Sequence, residues 1–171
     1  MNNKKEQKRV RIPFLPNFIY AFVSLIYVRF LFHIKIDRKV LRKQKRGSII
    51  IYNHSSNLDE FFIKAGCGYE RVNFVLARYF YYNHVLGAFL NWARCISKDQ
   101  FKPDIIAIRK MKKVIEKNGH VMIAPAGQIS IDGTLPYVPT SLVKLVKICD
   151  CDVLAMQMRG IYLNYPKWSK S

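Results

Sequence analysis

The sequence predicts an α/β fold with a largely parallel central sheet flanked by helices, preceded by an apolar helical segment at the N terminus. Two observations predict this fold. Short β-branched runs alternate along the chain with stretches of helical period, as they do in parallel α/β sheets. Half of the 171 residues are apolar, which is enough to bury one core. We therefore divide the chain into an N-terminal segment, residues 1–46, and one α/β domain, residues 47–171.

The N-terminal segment is apolar and aromatic from Ile12 to Ile36. Its unbroken part, Phe18 to Val28, is shorter than the roughly 20 apolar residues that a transmembrane helix needs. Arg29 would be costly near the centre of a longer span. We therefore expect a helix in the membrane interface or a shallow re-entrant hairpin, which would make the protein peripheral or monotopic. A core helix of a basic protein is the alternative that the pattern leaves open.

The charge is strongly basic and unevenly distributed. Twenty-nine Lys and Arg residues face eleven Asp and Glu residues, which gives a net charge of +18. Residues 1–46 carry thirteen of the basic residues and only two acidic ones. Such an excess attracts polyanions, and basic flanks around an apolar stretch suit anionic membrane lipid. We expect no nucleic acid as partner, because the sequence has no helix-turn-helix, zinc or RNA-binding-sheet pattern.

The four cysteines are Cys67, Cys95, Cys149 and Cys151. They form no CxxC pair, and no secretory signal with a cleavage site is visible. Reduced thiols that face the cytosol are therefore expected, which puts the protein at the cytoplasmic face of the cell membrane. Cys149 and Cys151 lack a second cluster of ligands, so we expect no metal site.

Strands and helices are predicted in alternation after a basic linker that ends at residue 46. Short apolar, β-branched runs between turn residues are typical of buried strands. Longer stretches that begin at polar residues and stop at glycine are typical of helices. The strands are predicted, in chain order, at residues 48–52, 73–77, 95–97, 120–124 and 153–158. The helices are predicted at residues 59–64, 79–93, 104–118 and 141–149.

The clearest helix runs from Asp104 to Asn118. Pro103 and Asp104 open it, and Gly119 closes it. Apolar residues recur along one face, and the basic residues lie mostly away from it. The apolar face is formed by Ile105, Ile108, Met111 and Ile115.

The segment Asn53-His54-Ser55-Ser56-Asn57-Leu58-Asp59 carries the candidate chemistry. It lies where a predicted strand gives way to a helix, and active sites of α/β proteins collect at the carboxyl ends of strands. A tight turn across five residues can return the Asp59 carboxylate to Nδ1 of His54, which leaves Nε2 free as a general base. Backbone N–H groups after Ser56 are candidates for stabilising an oxyanion. The alternative is a capping aspartate and a histidine bonded to backbone.

At these residues the chain resembles the glycerolipid acyltransferase family typified by 1-acylglycerol-3-phosphate acyltransferase. The family carries an Asn-His-x4-Asp motif after a short strand, and residues 53–59 match it. Its second motif, Gly-x-Ile-x-Ile-Asp-Arg, is matched within residues 94–100 by Ile96 and Asp99, without the glycine and the arginine. Its fourth block, an apolar strand that usually ends in proline, resembles residues 153–156 without that proline.

The third family motif, Phe-Pro-Glu-Gly-Thr-Arg-Ser, is matched within residues 124–130 by Pro125, Gly127 and Ser130. Ala126 stands in place of its glutamate and Ile129 in place of its arginine. The family arginines of the second and third motifs are thought to hold the acceptor's phosphate, for which an Arg fork is suited. The resemblance implies that other cations substitute, or that the acceptor has a different headgroup. The implied substrate-binding residues are Asn53, Arg78, Arg94, Lys98, Pro125, Gly127 and Ser130.

The resemblance implies an acyltransferase that works by direct transfer, with His54 and Asp59 as the catalytic residues. His54 takes the proton of the acceptor hydroxyl, whose oxygen attacks the thioester carbonyl of acyl-CoA or acyl-carrier protein. No cofactor, metal or serine nucleophile is implied, and the default reaction is acylation of 1-acylglycerol-3-phosphate in phospholipid synthesis. A basic face also suits an acidic carrier protein.

Two other hypotheses follow from the same residues. The altered second and third motifs allow a catalytically impaired, membrane-binding relative of the same fold. The net charge allows, with less support, a basic nucleic-acid-binding protein. Family members usually continue beyond the last strand, so the resemblance also implies a short or C-terminally truncated version.

Overall fold

The computed structural model describes residues 12–28, 30, 41, 43–56, 58–130, 132, 134 and 137–162. Its strands are β1 (Ser48–Tyr52), β2 (Val72–Ala77), β3 (Ile96–Lys98), β4 (His120–Ile123) and β5 (Asp152–Met156). Its main helices are α1 (Phe14–Tyr27), α2 (Asp59–Cys67), α3 (His84–Trp92), α4 (Ile105–Glu116) and α5 (Ser141–Cys149). A short 3-10 helix, Arg78–Tyr82, joins β2 to α3.

The five strands form one parallel sheet in the order β3-β2-β4-β1-β5. In the register, Ile49 of β1 lies between Val121 of β4 and Val153 of β5. The chain moves from β1 to β2 and β3 in one direction, then returns to β4 and β5 in the other. Because such crossovers are right-handed, α2 and α3 cover one face of the sheet, and α4 and α5 cover the other. The predicted α/β fold with a parallel sheet is confirmed.

Two apolar layers hold the helices to the sheet. Successive strand residues point to opposite faces, so Ile49 packs towards α4 and α5, whereas Ile50 packs towards α2. On the first face, Met111 and Leu145 complete a buried cluster. On the second face, Ile63 of α2 belongs to the matching cluster. The central strands β1 and β4 are thus largely buried on both faces, as in other parallel sheets, whereas the edge strand β5 has no fully buried side chain.

Helix α1 buries small and polar residues and exposes large apolar ones, which is the reverse of an ordinary amphipathic helix. It packs on α2 through Asn17, Ala21 and Ser24, which are buried. Most of its large apolar residues lie at the surface instead: Phe14, Leu15, Phe18, Ile19, Phe22, Val23 and Ile26. Among the residues described, no helix has both the length and the apolar character needed to cross a membrane. The predicted interface helix or re-entrant hairpin therefore stays a prediction, and residues 1–11, 29, 31–40 and 42 of the N-terminal segment lie outside the described residues.

The boundaries differ from the predictions mainly at one place. The single helix predicted over residues 79–93 is wrong, because the chain forms the 3-10 helix first and starts α3 only at His84. Asn83 causes the break, since its side-chain oxygen caps α3 by accepting the Leu86 N–H at 3.0 Å. The predicted opening of α4 is confirmed, because Asp104 accepts the Ala107 N–H at 2.9 Å.

Candidate active site

The loops that leave the carboxyl ends of β1, β4 and β3 are hydrogen-bonded to one another. After β1, the backbone oxygen of His54 accepts the N–H of Ser130, from the loop after β4, at 2.8 Å. The Gln100 side chain, from the loop after β3, donates to the backbone oxygen of Gly127 at 2.8 Å. The first three family-like motifs therefore converge on one edge of the sheet, although they are far apart in the chain.

The loop after β5 is tied to the same place by Asn53. Its side-chain amide donates to the backbone oxygen of Met158 at 2.9 Å, and its side-chain oxygen accepts the Met158 N–H at 2.7 Å. This pair of bonds continues the β1–β5 ladder with a side chain in place of backbone. Asn53 also donates to the Ser55 hydroxyl at 3.0 Å. Asn53 therefore fixes the backbone next to His54, which is a positioning role.

His54 and Asp59 meet across the turn as the sequence predicts. His54 Nδ1 lies 2.8 Å from Asp59 Oδ2. Because an ionised carboxylate only accepts hydrogen bonds, Nδ1 is the protonated nitrogen in this pair and Nε2 carries the free lone pair. The His54 side chain is 17% exposed and Asp59 is fully buried. The imidazole thus reaches the surface while its partner is shielded from water.

The turn itself is closed by the same carboxylate. Asp59 Oδ2 also accepts the backbone N–H groups of Ser55 and Ser56, the latter at 3.0 Å. The aspartate therefore caps the turn and holds the imidazole, so the two interpretations of this motif coexist in one residue. The expectation that N–H groups after Ser56 are free for an oxyanion is wrong for Leu58, whose N–H donates to the Ser56 hydroxyl at 3.2 Å.

Two further ionisable groups lie around the His54 ring. The Tyr52 ring meets it edge-on, with centroids 5.9 Å apart. Burial raises the pKa of Tyr52 well above its usual range, and the charges of Glu60 and Asp59 add to this shift. Burial also raises the pKa of Glu60, although the nearby His54 works in the opposite direction. Sequence reasoning missed Glu60, whose only signal is its place beside Asp59 in α2.

The matched residues of the third motif form a turn and carry no charge that could bind a phosphate. Gly127 has a φ of +67°, in the left-handed region that favours glycine. Its N–H donates to the Ala124 oxygen at 3.1 Å, which closes a turn around Pro125. Ser130 is nearly buried, and its hydroxyl donates to the Asp132 carboxylate at 3.1 Å. The structure thus brings Pro125, Gly127 and Ser130 to the loop that contacts His54.

The three cations predicted to bind phosphate, Arg78, Arg94 and Lys98, lie at different edges of the sheet and have different partners. Arg78, at the end of β2, donates to Asp99 at 2.6 Å and to Asp104 at 3.1 Å, so two carboxylates share its charge. Lys98 ends β3 at the same edge and donates to the Asp99 backbone oxygen at 2.8 Å. Arg94 precedes β3, at the opposite edge of the parallel strands. The structure therefore does not bring Arg94 to the His54 edge, because a residue before a parallel strand lies at its amino end.

Arg159 is a cation of this edge that sequence reasoning missed. Its guanidinium donates two hydrogen bonds to the side-chain oxygen of Gln157, from Nη2 at 3.1 Å and from Nε at 3.2 Å. Its neighbour Met158 is the residue that Asn53 holds. Within the described ranges no ion pair to an acidic side chain is formed by Arg159. Its position three residues after the fourth family block was the signal that could have identified it.

A cavity of about 350 Å³ lies at the other edge of the sheet. Residues at the amino ends of β2 and β4 line it, including Arg71, Asn73 and His120. His120 accepts or donates a hydrogen bond with the Ser48 hydroxyl at 2.8 Å, and burial lowers the pKa of its ring. This cavity is separate from the His54 edge. In the part of the chain that the structure describes, no group of three His, Cys, Asp or Glu side chains is placed to hold a metal ion.

Comparisons with known proteins agree with this geometry. The sequence model of the Acyltransferase family matches residues 33–159, which is most of the chain. The crystal structure of the 1-acyl-sn-glycerophosphate (LPA) acyltransferase PlsC from Thermotoga maritima has a similar fold, with a TM-score of 0.56 and 16% sequence identity. The match covers 90% of this chain and 77% of that one. No curated protein sequence matches the chain. The acyltransferase predicted from the Asn-His-x4-Asp motif is thus confirmed, and this chain belongs to the Acyltransferase family.

Proposed function

We propose that the protein transfers a fatty acyl chain from a thioester donor to the hydroxyl of a lysophospholipid in phospholipid synthesis, with 1-acylglycerol-3-phosphate as the acceptor. The donor is acyl-CoA or acyl-carrier protein. The observation that carries this proposal is the contact between His54 Nδ1 and Asp59 Oδ2, 2.8 Å long, on an imidazole that reaches the surface. The family membership supports the same class of reaction.

His54 acts as the general base in this proposal. Its Nε2 removes the proton from the acceptor hydroxyl while the oxygen attacks the thioester carbonyl carbon. The tetrahedral intermediate then collapses, the C–S bond breaks, and the imidazolium returns the proton to the departing thiolate. Asp59 stabilises the imidazolium and holds the ring in one tautomer. A base positioned in this way typically supplies about 10²–10⁴ in rate.

The acceptor's phosphate is held by cations at the same edge. Lys98 and Arg159 are the better candidates, because Arg78 already shares its charge with Asp99 and Asp104. Lys98 is half-buried and lies within the second motif, and Arg159 is exposed beside the Asn53–Met158 contact. A guanidinium without a carboxylate partner is suited to bind phosphate through two parallel N–H groups.

The acceptor is a lipid, so the proposal includes attachment to an anionic membrane at the cytoplasmic face of the cell membrane. The exposed apolar side of α1 supports this, because a helix that buries Asn17 and Ser24 but exposes large apolar residues needs an apolar surrounding on its outer side. Helix α3 extends the same surface, since Phe89 lies against Tyr20 of α1 with ring centroids 6.4 Å apart. Trp92 and Val85 of α3 are also exposed.

The test is an acyl-transfer assay on purified protein with detergent-dispersed 1-acylglycerol-3-phosphate and each donor in turn. Wild-type protein is expected to form phosphatidic acid, and His54→Ala to lose at least about 100-fold in kcat. His84→Ala, an exposed histidine at the start of α3, is the matched control and should keep wild-type activity. Circular dichroism and thermal melting confirm that each variant folds.

Two results would contradict the proposal. Full activity of His54→Ala would remove the general base. A wild-type protein that floats with anionic liposomes but transfers no acyl chain to any lysolipid, from either donor, would instead favour the catalytically impaired relative. Lysolipids with choline, ethanolamine and glycerol headgroups in the same assay identify the acceptor if the phosphate monoester is not preferred.

A further inference from the structure

We infer that the surface at the N-terminal end of α4 is the docking site of an acidic carrier protein that delivers the acyl chain. This surface, called the α4 surface below, consists of Phe101, Lys102, Ile105, Ile106, Arg109 and Lys110. The inference rests on the proposed function, because it identifies which of the two thioester donors binds and where. It concerns a part of the chain that lies outside the His54–Asp59 pair.

The centre of the α4 surface is apolar and exposed. Phe101 is 77% exposed, Ile105 63% and Ile106 64%. Phe101 also has a φ of +57°, in the left-handed region that bulky residues rarely adopt. An aromatic residue held in this conformation with its ring in water gains little from the rest of the fold. Strain of this kind, next to exposed apolar neighbours, is typical of a contact surface for a partner.

The rim of the α4 surface is positively charged. Arg109 and Lys110 lie one helical turn after Ile105 and Ile106, so they share the outer side of α4. Lys102 flanks the same residues in the loop before the helix, and all three cations are exposed. A partner with an acidic surface around an apolar contact is the complement of this arrangement.

The two acidic residues of the preceding loop offset this charge only in part, because Arg78 pairs with both of them. Asp99 and Asp104 are both bound by Arg78, at 2.6 and 3.1 Å. The Asp104 carboxylate also accepts the N–H groups of Asp99, at 3.1 Å, and Ala107, at 2.9 Å. Burial acts to raise the pKa of Asp104, but these N–H groups and Arg78 outweigh it and the pKa is lowered. The loop is therefore fixed by its own acidic residues, and the α4 surface keeps its positive charge.

The α4 surface adjoins the active site. A Cβ atom added to Gly127 would lie 3.9 Å from the Phe101 ring, and the Gly127 backbone oxygen accepts a hydrogen bond from the Gln100 side chain at 2.8 Å. The loop that contains Gly127 reaches His54 through the Ser130 N–H, at 2.8 Å. A carrier protein holds its thioester on a long flexible arm, so a protein seated on the α4 surface has its acyl group within reach of this edge.

A membrane is not the occupant that the geometry favours. Helix α4 packs on the face of the sheet opposite to α2, on which α1 lies. A flat bilayer in contact with the exposed side of α1 is separated from the outer side of α4 by the sheet and both helical layers. The apolar residues of α1 and of the α4 surface therefore belong to two different partners, a lipid surface and a protein.

The test compares two matched charge reversals. Arg109→Glu with Lys110→Glu alters the α4 surface, and Lys144→Glu with Lys147→Glu makes the same change in charge on α5, on the same face of the sheet. The probes are a purified bacterial acyl-carrier protein loaded with a palmitoyl chain, and palmitoyl-CoA. Fluorescence anisotropy gives the Kd for the carrier protein without turnover, and initial rates give KM for each donor. Thermal melts show that the variants fold.

We expect the reversal on α4 to raise both Kd and KM for the carrier protein at least tenfold, with KM for palmitoyl-CoA within twofold of wild type. The reversal on α5 should leave all three values within twofold. The inference is overturned if wild-type protein does not bind the carrier, if both reversals weaken it equally, or if the α4 reversal instead removes binding to anionic liposomes. Carrier binding without any acyl transfer would overturn the proposed function alone, because the Kd is measured without turnover.

Discussion

His54 Nδ1 and Asp59 Oδ2 lie 2.8 Å apart, and the same carboxylate oxygen accepts the backbone N–H groups of Ser55 and Ser56. The orientation of the imidazole is therefore tied to the shape of the turn after β1. Because Asp59 is fully buried and His54 is 17% exposed, the pair presents Nε2 to the surface from a fixed position. Two residues five positions apart can therefore serve as a general base and the carboxylate that orients it.

The substitution Asp59→Asn tests whether the negative charge of Asp59 is needed for activity. The amide oxygen can still accept the Ser55 and Ser56 N–H groups, so the turn should form and the melting temperature should change little. The neutral amide no longer stabilises the imidazolium that forms when His54 takes up a proton. We expect kcat to fall by about 10²–10⁴ with KM nearly unchanged, as measured by initial rates at saturating donor. Activity within threefold of wild type would show that Asp59 serves only as a cap.

Lys98→Ala and Arg94→Ala form a matched pair for acceptor binding. Lys98 ends β3 at the His54 edge, whereas Arg94 precedes the same strand. Removing a charge-assisted hydrogen bond to the phosphate is expected to raise KM for 1-acylglycerol-3-phosphate by about tenfold in Lys98→Ala. Arg94→Ala should leave that KM unchanged. Equal effects of the two substitutions, measured by varying the acceptor at fixed donor, would mean that the position along β3 does not decide the contact.

Phe18→Asp with Phe22→Asp tests the membrane surface. The two rings stack along the outer side of α1, with centroids 6.1 Å apart, and both are exposed. Two carboxylates there should abolish flotation with liposomes of anionic lipid, because apolar burial and charge attraction are lost together. Val143→Asp with Ile148→Asp, at exposed positions of α5 on the other face of the sheet, is the control and should float like wild type. Loss of flotation in both pairs would indicate unfolding or nonspecific repulsion.

Lys64 is expected to give a pH dependence to the attachment of α1. Its ammonium is buried and donates to the Asn17 side chain at 2.7 Å and to the Glu70 backbone oxygen at 3.0 Å. Burial lowers the pKa of Lys64 to about 8. Because the unfolded chain keeps a pKa near 10.5, the unfolded state binds more protons between pH 8 and 10.5, so the stability contributed at Lys64 rises with pH over that range.

Denaturant titrations of wild-type protein and Lys64→Met at several pH values measure this effect. The difference in free energy of unfolding, wild type minus variant, should increase by about 3 kcal/mol from below pH 8 to above pH 10.5. Groups that titrate in this range without interacting with Lys64 cancel in the difference. A difference that is flat or falls with pH would show that the Lys64 ammonium is not held in a desolvated site.

Sequence alone predicts the parts of this protein that depend on local pattern. The order of strands and helices, the Asp104 cap and the His54–Asp59 spacing are properties of short stretches of chain, and all are found in the structure. The position of Arg94 was also readable, because it precedes a predicted strand and therefore lies at the amino edge.

The contacts that assemble the site could not be predicted in this way. The Asn53 side chain meets Met158, which is 105 residues away in sequence, and Gln100 meets Gly127, which is 27 residues away. These pairs depend on the strand order, which reverses direction after β3 and is not set by local periodicity. The inverted amphipathicity of α1 was equally hidden, because a nearly all-apolar helix does not reveal which side is buried.

A double-mutant cycle in kcat tests the central claim most directly. His54→Ala, Asp59→Asn and the double variant are assayed under one set of conditions with 1-acylglycerol-3-phosphate as acceptor. If Asp59 acts through His54, the double variant should be no slower than His54→Ala, and the two single losses should be strongly non-additive. Losses that multiply, so that the double variant is slower than His54→Ala by the full Asp59→Asn factor, would contradict the account.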